Sequence, residues 1–411
     1  MSTLQRAGRP LTRLTDLTRL THLTDRALGP YQTAVIRIGL SFTWLCFLLR
    51  EWPNRHRLYG PDGPWSWSLA RQLITDNGAF TALLWNRSDW WFESCYLLAM
   101  ASALLLMLGW HTRAMSVLSM IGVVSLQNRT VFVGDGGDNV LHLMALYLVL
   151  TRCGRVWSLD ARRRRRATSG AGGLVLWICC GLALALVQTC TEARLHWTDH
   201  GPLPGLGWAA ALWGLWLVHA LWWLACEYAP GEPRSVLDAL ANLIHNAALL
   251  VIMAEVCLIY ATAGWYKIQG TLWQDGTALY YPLHLDYFTP WPWLSHLLAG
   301  SGLMVLILSY ATVAMQVAFP FTLANRRLKN ALLVVMMAEH LGIAVLLGLP
   351  FFSLAMLAAD AVFLPTSFLR WAGDAVSRRF REVRARVPAQ RGGPPVAGER
   401  AGLTGGGGPG R

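Results

Sequence analysis

Apolar runs of roughly 18 to 25 residues recur along this chain, separated by stretches rich in Arg, Trp, Gly and Pro. Runs of that length match the thickness of a bilayer core, where backbone N–H and C=O groups find no water and must bond within their own helix. The pattern predicts spans near Ala34–Leu49, Trp91–Trp110, Ala114–Leu126, Val140–Leu150, Gly173–Cys190, Trp208–Cys226, Leu237–Gly264, Leu303–Ala324, Ala331–Leu347 and Phe351–Leu364. The third, fourth and last are short, so the expectation is an all-α polytopic membrane protein with a bundle of about eight to ten transmembrane helices.

The segments outside the runs divide the chain further. Residues 1–30 repeat leucine every third position, a period that drifts around a helix, so an N-terminal cytoplasmic or interfacial arm is expected. Residues 31–366 form the bundle. Residues 367–411 turn Arg-rich and then Gly/Pro-rich, the composition of a disordered cytoplasmic tail, and no soluble domain is expected after the bundle. Between the first two spans lies a long loop dense in tryptophan and proline, which suits an interfacial or re-entrant segment. With ten crossings and a cytoplasmic arm, Arg113, the Arg152–Arg166 cluster, Arg234, Arg326, Arg327 and Lys329 fall inside. Arg50, Arg55, Arg57, Arg71 and Arg87 in the first long loop depart from that rule.

Charged residues make up 14% of the chain, against about 25% in soluble domains. The net charge of +12 comes mainly from arginines at span ends and in the tails, which fits topology and anionic headgroups and leaves nucleic acid disfavoured. Eight cysteines show no C-x-x-C or metal-ligand spacing. They read as packing residues, with Cys95 and Cys190 near helix ends the ones placed to pair. Of 35 Lys and Arg residues only Lys267 and Lys329 are lysines. Scarce lysine beside abundant arginine points to a bacterial cell membrane.

Lys267 follows the small residues Ala261, Thr262, Ala263 and Gly264, where bilayer core is expected to give way to interface. A lysine there either snorkels to headgroups or stays in a low-dielectric site as a neutral base. The loop after it, T-L-W-Q-D-G-T, offers Trp273 and Asp275, the latter as a charge partner.

A second candidate is N-R-T-V-F-V-G-D-G-G-D-N-V-L-H-L, residues 128–143. Asp135 belongs to a glycine turn, while Asp138, Asn139 and His142 share one face of the helix that follows. Helix capping by Asp138 or Asn139 with a packed His142 competes with a chemical role. Two ligands at this spacing leave a metal site unfilled, so no metal is expected. Asn242, His245, Asn246, Glu255, Glu339 and His340 lie inside spans, and such groups usually face a cavity or one another.

R-T-V-F-V-G-D-G-G-D-N from Arg129, C-G-R-V-W-S-L-D-A-R-R from Cys153 and Y-A-T-A-G-W-Y-K-I-Q-G-T-L-W-Q-D-G-T from Tyr260 together resemble the horizontally transferred transmembrane (HTTM) domain family. That family includes vitamin K-dependent γ-glutamyl carboxylase and bacterial proteins of the sporulation-delaying-protein B type, and the resemblance covers about residues 31–364. It implies Lys267 as a base toward a reduced quinone, menaquinone or vitamin K-like, in chemistry that uses oxygen. It sets Asn139 where the carboxylase has a functional histidine, with His142 the nearest substitute. It gives Asp138 and Asn139 an orienting role and Arg129, Asp135, Trp273, Asp275 and Glu255 supporting ones. The implied partners are the lipid bilayer and a secreted peptide substrate. The alternative it implies is a non-catalytic membrane factor for maturation, export or immunity of a secreted peptide toxin.

Overall fold

The computed structural model describes residues 24–166, 172–191, 207–229 and 231–386. Helices form in every predicted span. In chain order they are α1 (Pro30–Glu51), α2 (Asp89–Leu108), α3 (Thr112–Arg129), α4 (Gly136–Leu150), α5 (Gly172–Cys190), α6 (Trp208–Tyr228), α7 (Glu232–Gln269), α8 (Gly302–Thr322), α9 (Arg326–Leu346) and α10 (Pro350–Asp360). Among the described residues there is no strand, and seven helices are long and apolar enough to cross a membrane. The chain is therefore an all-helical, multi-pass membrane protein. The three helices outside the seven are α3, which carries several serines, and the shorter α4 and α10.

The most buried of the seven is α1, which packs against α2, α4 and α10. Its entry is fixed by Gly29 in the left-handed region and Pro30 at the first turn. Thr33, Ile36, Arg37, Leu40, Trp44 and Leu48 recur at helical spacing and are all buried, so one stripe of α1 carries the core. One of these is a cation. Arg37 donates to four carbonyls, those of Cys153 (3.3 Å), Leu106 (2.5 Å), Met107 (2.7 Å) and Trp157 (2.7 Å). Two of them are among the last acceptors of α2, which the helix itself leaves open.

The same end of the bundle is closed by Asp160, whose carboxylate accepts from His111 N (2.9 Å), Thr112 N (2.8 Å) and the Thr112 hydroxyl (2.9 Å), capping α3 from a distant segment. The His111 ring beside it contacts the Arg163 guanidinium at 3.0 Å. Burial first, and Arg163 in addition, lower the pKa of that imidazole, so a neutral ring accepts from the arginine. Arg152 reaches across to Asn242 (2.7 Å) and Asp238 (2.8 Å) near the start of α7.

The arginines of the first long loop have local partners. Arg55 forms a forked pair with Glu93 while lying 3.9 Å over the Trp52 ring, Arg50 pairs with Glu51, and Arg87 meets Asp62 at 3.2 Å. Acids on the same side thus offset charges that the sequence pattern alone leaves unexplained. The seven described cysteines are free, so the pairing expected for Cys95 or Cys190 is not made.

At the periphery, α5 and α6 pair through Trp177 and Trp216, stacked at 4.0 Å with each indole N–H donating to the other's carbonyl. At the other extreme of length stands α7, with 38 residues, spanning about 57 Å. It packs along α8 where Gly264 allows close approach: a Cβ there would lie 2.7 Å from Val317 Cγ2 and 3.2 Å from Val317 N.

The chain falls into two compact units, one ending at Thr366 and one beginning at Ser367. The second holds most of α11 (Thr366–Arg386), where the composition suggested a tail without structure. Helix persists there because no proline intervenes and Phe368, Ala372 and Val376 keep an i, i+4 apolar spacing. The Gly/Pro-rich remainder and the leucine-repeat arm lie outside the described residues.

Candidate functional site

Polar side chains from α7, α8, α9 and α10 meet inside the bundle in two linked groups, all but Gln316 of α8 being ionisable. In the first, Lys267 Nζ donates to Gln316 Oε1 (2.8 Å), and Gln316 Nε2 donates to Glu339 Oε1 (3.2 Å). The Trp273 ring lies 5.3 Å from the same ammonium. In the second, the Tyr260 hydroxyl meets Asp360 Oδ2 (2.8 Å), Asp360 Oδ1 (2.9 Å) and His340 Nε2 (3.1 Å). Glu339 and His340 are consecutive on α9 and join the groups.

Burial is close to complete in the second group, while Lys267, Trp273 and Glu339 of the first are half-buried. Asp360 is 0% exposed, and Tyr260 and His340 are 2% exposed. Apolar surroundings make an unmet polar atom costly, on the order of 1–3 kcal/mol, yet Glu339 Oε2 and His340 Nδ1 have no hydrogen-bond partner. At Arg37, by contrast, all three guanidinium nitrogens are engaged. The enclosure thus holds a base, two acids and an imidazole with acceptor capacity to spare.

The neighbouring helix locates Lys267 along the bundle. Its partner Gln316 sits six residues from the end of α8 and fourteen from its start, about 9 and 21 Å along the axis. The amine therefore lies beside α8, well within its length. The turn after α7 follows the same helix, held where the Tyr310 hydroxyl donates to the Gln274 carbonyl (2.7 Å). The partner expected for Lys267 differs. Asp275 is exposed, ends the short helix Thr271–Gln274 and makes no ion pair with Lys267, whose link through Gln316 is to Glu339.

The Gly-Asp turn lies at the start of α4. Asp135 accepts from Gly137 N (2.6 Å), and Asp138 Oδ2 accepts from Asp135 N (2.8 Å), a reciprocal capping box. Asn139 is exposed, and His142 Nδ1 contacts Gln127 Oε1 of α3 (3.0 Å), whose amide nitrogen donates to the Asp138 carbonyl (2.8 Å). Arg129 is buried, donating to the carbonyls of Gly60 (2.7 Å) and Trp65 (3.1 Å). Glu255 faces Tyr147 of α4 and lies twelve residues before Lys267, about 18 Å along α7.

The turn reaches the enclosure through one ring. Gly137 packs on the Phe352 backbone, with room for a hydrogen but not a Cβ (2.7 Å to Phe352 Cα), and the Phe352 ring lies 5.5 Å from the His340 ring. Of the sequence candidates, Lys267, Trp273, Glu339 and His340 belong to the enclosure. Asp138 and its neighbours border it.

Tyr260, Gln316 and Asp360 were not singled out by sequence. The available signal was an acid in the apolar run A-A-D-A-V and a glutamine in A-M-Q-V-A. No family model, curated protein or solved structure matches this chain.

Proposed function

We propose that the chain is a carboxylase-like membrane protein of the HTTM kind in which Lys267 acts as base toward a hydroxyl of a reduced quinone. The observation that carries this reading is the direction of the lysine: its amine turns onto Gln316 inside the bundle (2.8 Å) instead of snorkelling. An amine held among apolar helices, oriented by an amide oxygen, is placed to accept a proton.

A reduced quinone asks for a proton acceptor and for flat apolar surface beside it. Lys267 and the unpartnered Glu339 Oε2 supply the first, and the Trp273 indole near the amine supplies the second, so the residues fit the group. Lys267 and Glu339 would hold its hydroxyl and Trp273 its ring. When bound, the quinol supplies the reducing equivalents for oxygen-dependent chemistry on a peptide or other extracytoplasmic substrate. Gln316 fixes the lysine nitrogen through its oxygen while its amide nitrogen ties down Glu339. Asp135 and Asp138 hold the start of α4, which supports Phe352 against His340. The arginine-rich end of the bundle faces the cytoplasm of a bacterial cell in this reading, with both termini on that side.

The test is consumption of reduced naphthoquinone with oxygen by the purified protein in lipid. Lys267→Met should lower the rate by about a hundredfold or more, and equal turnover overturns the proposal. Lys267→Arg should fail as well, because arginine does not release its proton. Full activity of the arginine variant in the cell would make residue 267 a fixed cation. The chain would then serve as a non-catalytic membrane factor for a secreted peptide.

A further inference from the structure

Tyr260, His340 and Asp360 are all but fully buried, and half-buried Lys267 and Glu339 adjoin them. With the Asp360 carboxylate ionised and the imidazole neutral, the buried trio carries one net negative charge. Apolar surroundings strongly disfavour an uncompensated charge. Neutrality requires one more proton.

The hydrogen-bond geometry says where that proton resides. Tyr260 has a single hydroxyl hydrogen but three partners within 3.1 Å: two oxygens of Asp360 and His340 Nε2. If the hydroxyl donates to Asp360, then Nε2 must donate to the tyrosine oxygen, and the extra proton belongs on the unpartnered His340 Nδ1. If the hydroxyl donates to His340, the proton belongs on Asp360, which then donates to the tyrosine. Both arrangements place it on these three residues.

The surroundings offer no other compensation. From α7, Asp360 meets Tyr260 and lies near the Cys257 thiol. From α9, His340 reaches it through the Tyr260 hydroxyl, with Glu339 one residue before His340. The helices α1 and α4 also pack on α10, and no cation from them forms an ion pair with Asp360. Lys329 donates to the Phe363 carbonyl instead.

We propose that Tyr260, His340 and Asp360 form a buried proton-binding site whose occupancy follows the charge on Lys267. A proton arriving at Lys267 Nζ is matched by one leaving the site for bulk water, and loss of the lysine proton is matched by uptake, so the enclosure keeps its net charge. The proposal takes its purpose from the base reading of Lys267, but its test needs no quinone.

The test is infrared difference spectroscopy of the full chain in lipid nanodiscs, stepped through pH without quinone. A titrating band is expected, either the carbonyl of protonated Asp360 or an imidazolium ring mode of His340, lost in Asp360→Asn and shifted in frequency in Tyr260→Phe. Lys267→Met should move the midpoint of its titration by about one pH unit or more. A spectrum with neither band, a frequency indifferent to Tyr260→Phe, or a midpoint indifferent to Lys267→Met overturns the proposal. Should Asp360→Asn fail to fold, the Tyr260→Phe and Lys267→Met spectra still decide. A coupled band in protein that oxidises no quinol supports this site while sinking the quinone reading. Quinol oxidation without the band does the reverse.

Discussion

The bundle holds two of its cations, buried Arg37 and half-buried Lys267, in opposite ways. Around Arg37 the guanidinium meets four carbonyls from two segments, and every acceptor belongs to backbone that the fold has already fixed. Around Lys267 the amine meets one side-chain amide, behind which Glu339 Oε2 and His340 Nδ1 go without partners. Other buried atoms, such as Trp44 Nε1 and Arg129 Nη1, also lack partners, but the two behind Lys267 lie on an acid and an imidazole that can exchange protons. The first arrangement is a clasp. The second has the open valences and titratable groups of a place where protons move.

The strongest way to break that contrast is to remove the clasp. Arg37→Gln leaves buried carbonyls of Leu106, Met107, Cys153 and Trp157 short of donors, and the expected loss is about 3–5 kcal/mol. Thermal unfolding in detergent measures it, and poor recovery of folded protein is the expected outcome. Arg37→Lys should recover only part, because one ammonium does not reproduce a planar fork. A variant as stable as the parent would mean that the clasp does not organise this end of the bundle.

How far the two regions could be read from sequence differs for the same physical reason. Hydrophobic run length fixes where a helix can cross lipid, and helices formed over all ten predicted spans, from Pro30–Glu51 to Pro350–Asp360. Lys267 stood out because lysine is scarce. Its setting did not, since a one-dimensional pattern does not say that α7 continues beside α8 with the amine facing Gln316. Tyr260 and Asp360 carry no such signal, because an aromatic or an acid near the end of an apolar run does not show what packs on it. Only the packing of α10 between α9 and α1 makes Asp360 fully buried. Pairing of the loop arginines with Glu93, Glu51 and Asp62 was hidden in the same way.

A subtler change sharpens the contrast by moving the enclosure without touching a charge. Gly264→Ala places a methyl 2.7 Å from Val317 Cγ2 and 3.2 Å from Val317 N, and the latter is backbone that cannot rotate away. Separating α7 from α8 should cost about 1–3 kcal/mol. Because Val317 follows Gln316, the 2.8 Å contact to Lys267 should lengthen with it. Quinol turnover is therefore expected to fall much further than thermal stability. Equal losses in both would assign Gly264 to packing alone.

The smallest expected effects concern the Gly-Asp turn, and they decide whether it belongs with the clasp or with the enclosure. Its aspartates bond to each other's backbone, so Asp135→Ala should cost roughly 1 kcal/mol, the usual price of a lost N-terminal cap. Asn139 is exposed, and Asn139→Ala should leave stability within about 0.5 kcal/mol of the parent. The two readings part on activity. If the turn only holds Phe352 against His340, Asn139→Ala turns over quinol at the parental rate, while Gly137→Ala, whose Cβ would press on Phe352 Cα at 2.7 Å, is impaired. If Asn139 touches substrate, as its place in the resemblance to the carboxylase implies, the order reverses. Asn139→Ala then loses activity in a protein of unchanged melting temperature. Measuring both variants side by side, with rate and melting temperature from the same preparation, separates support from contact. The capping-box geometry favours support, because the side chains of Asp135 and Asp138 are already committed to the backbone of their own turn.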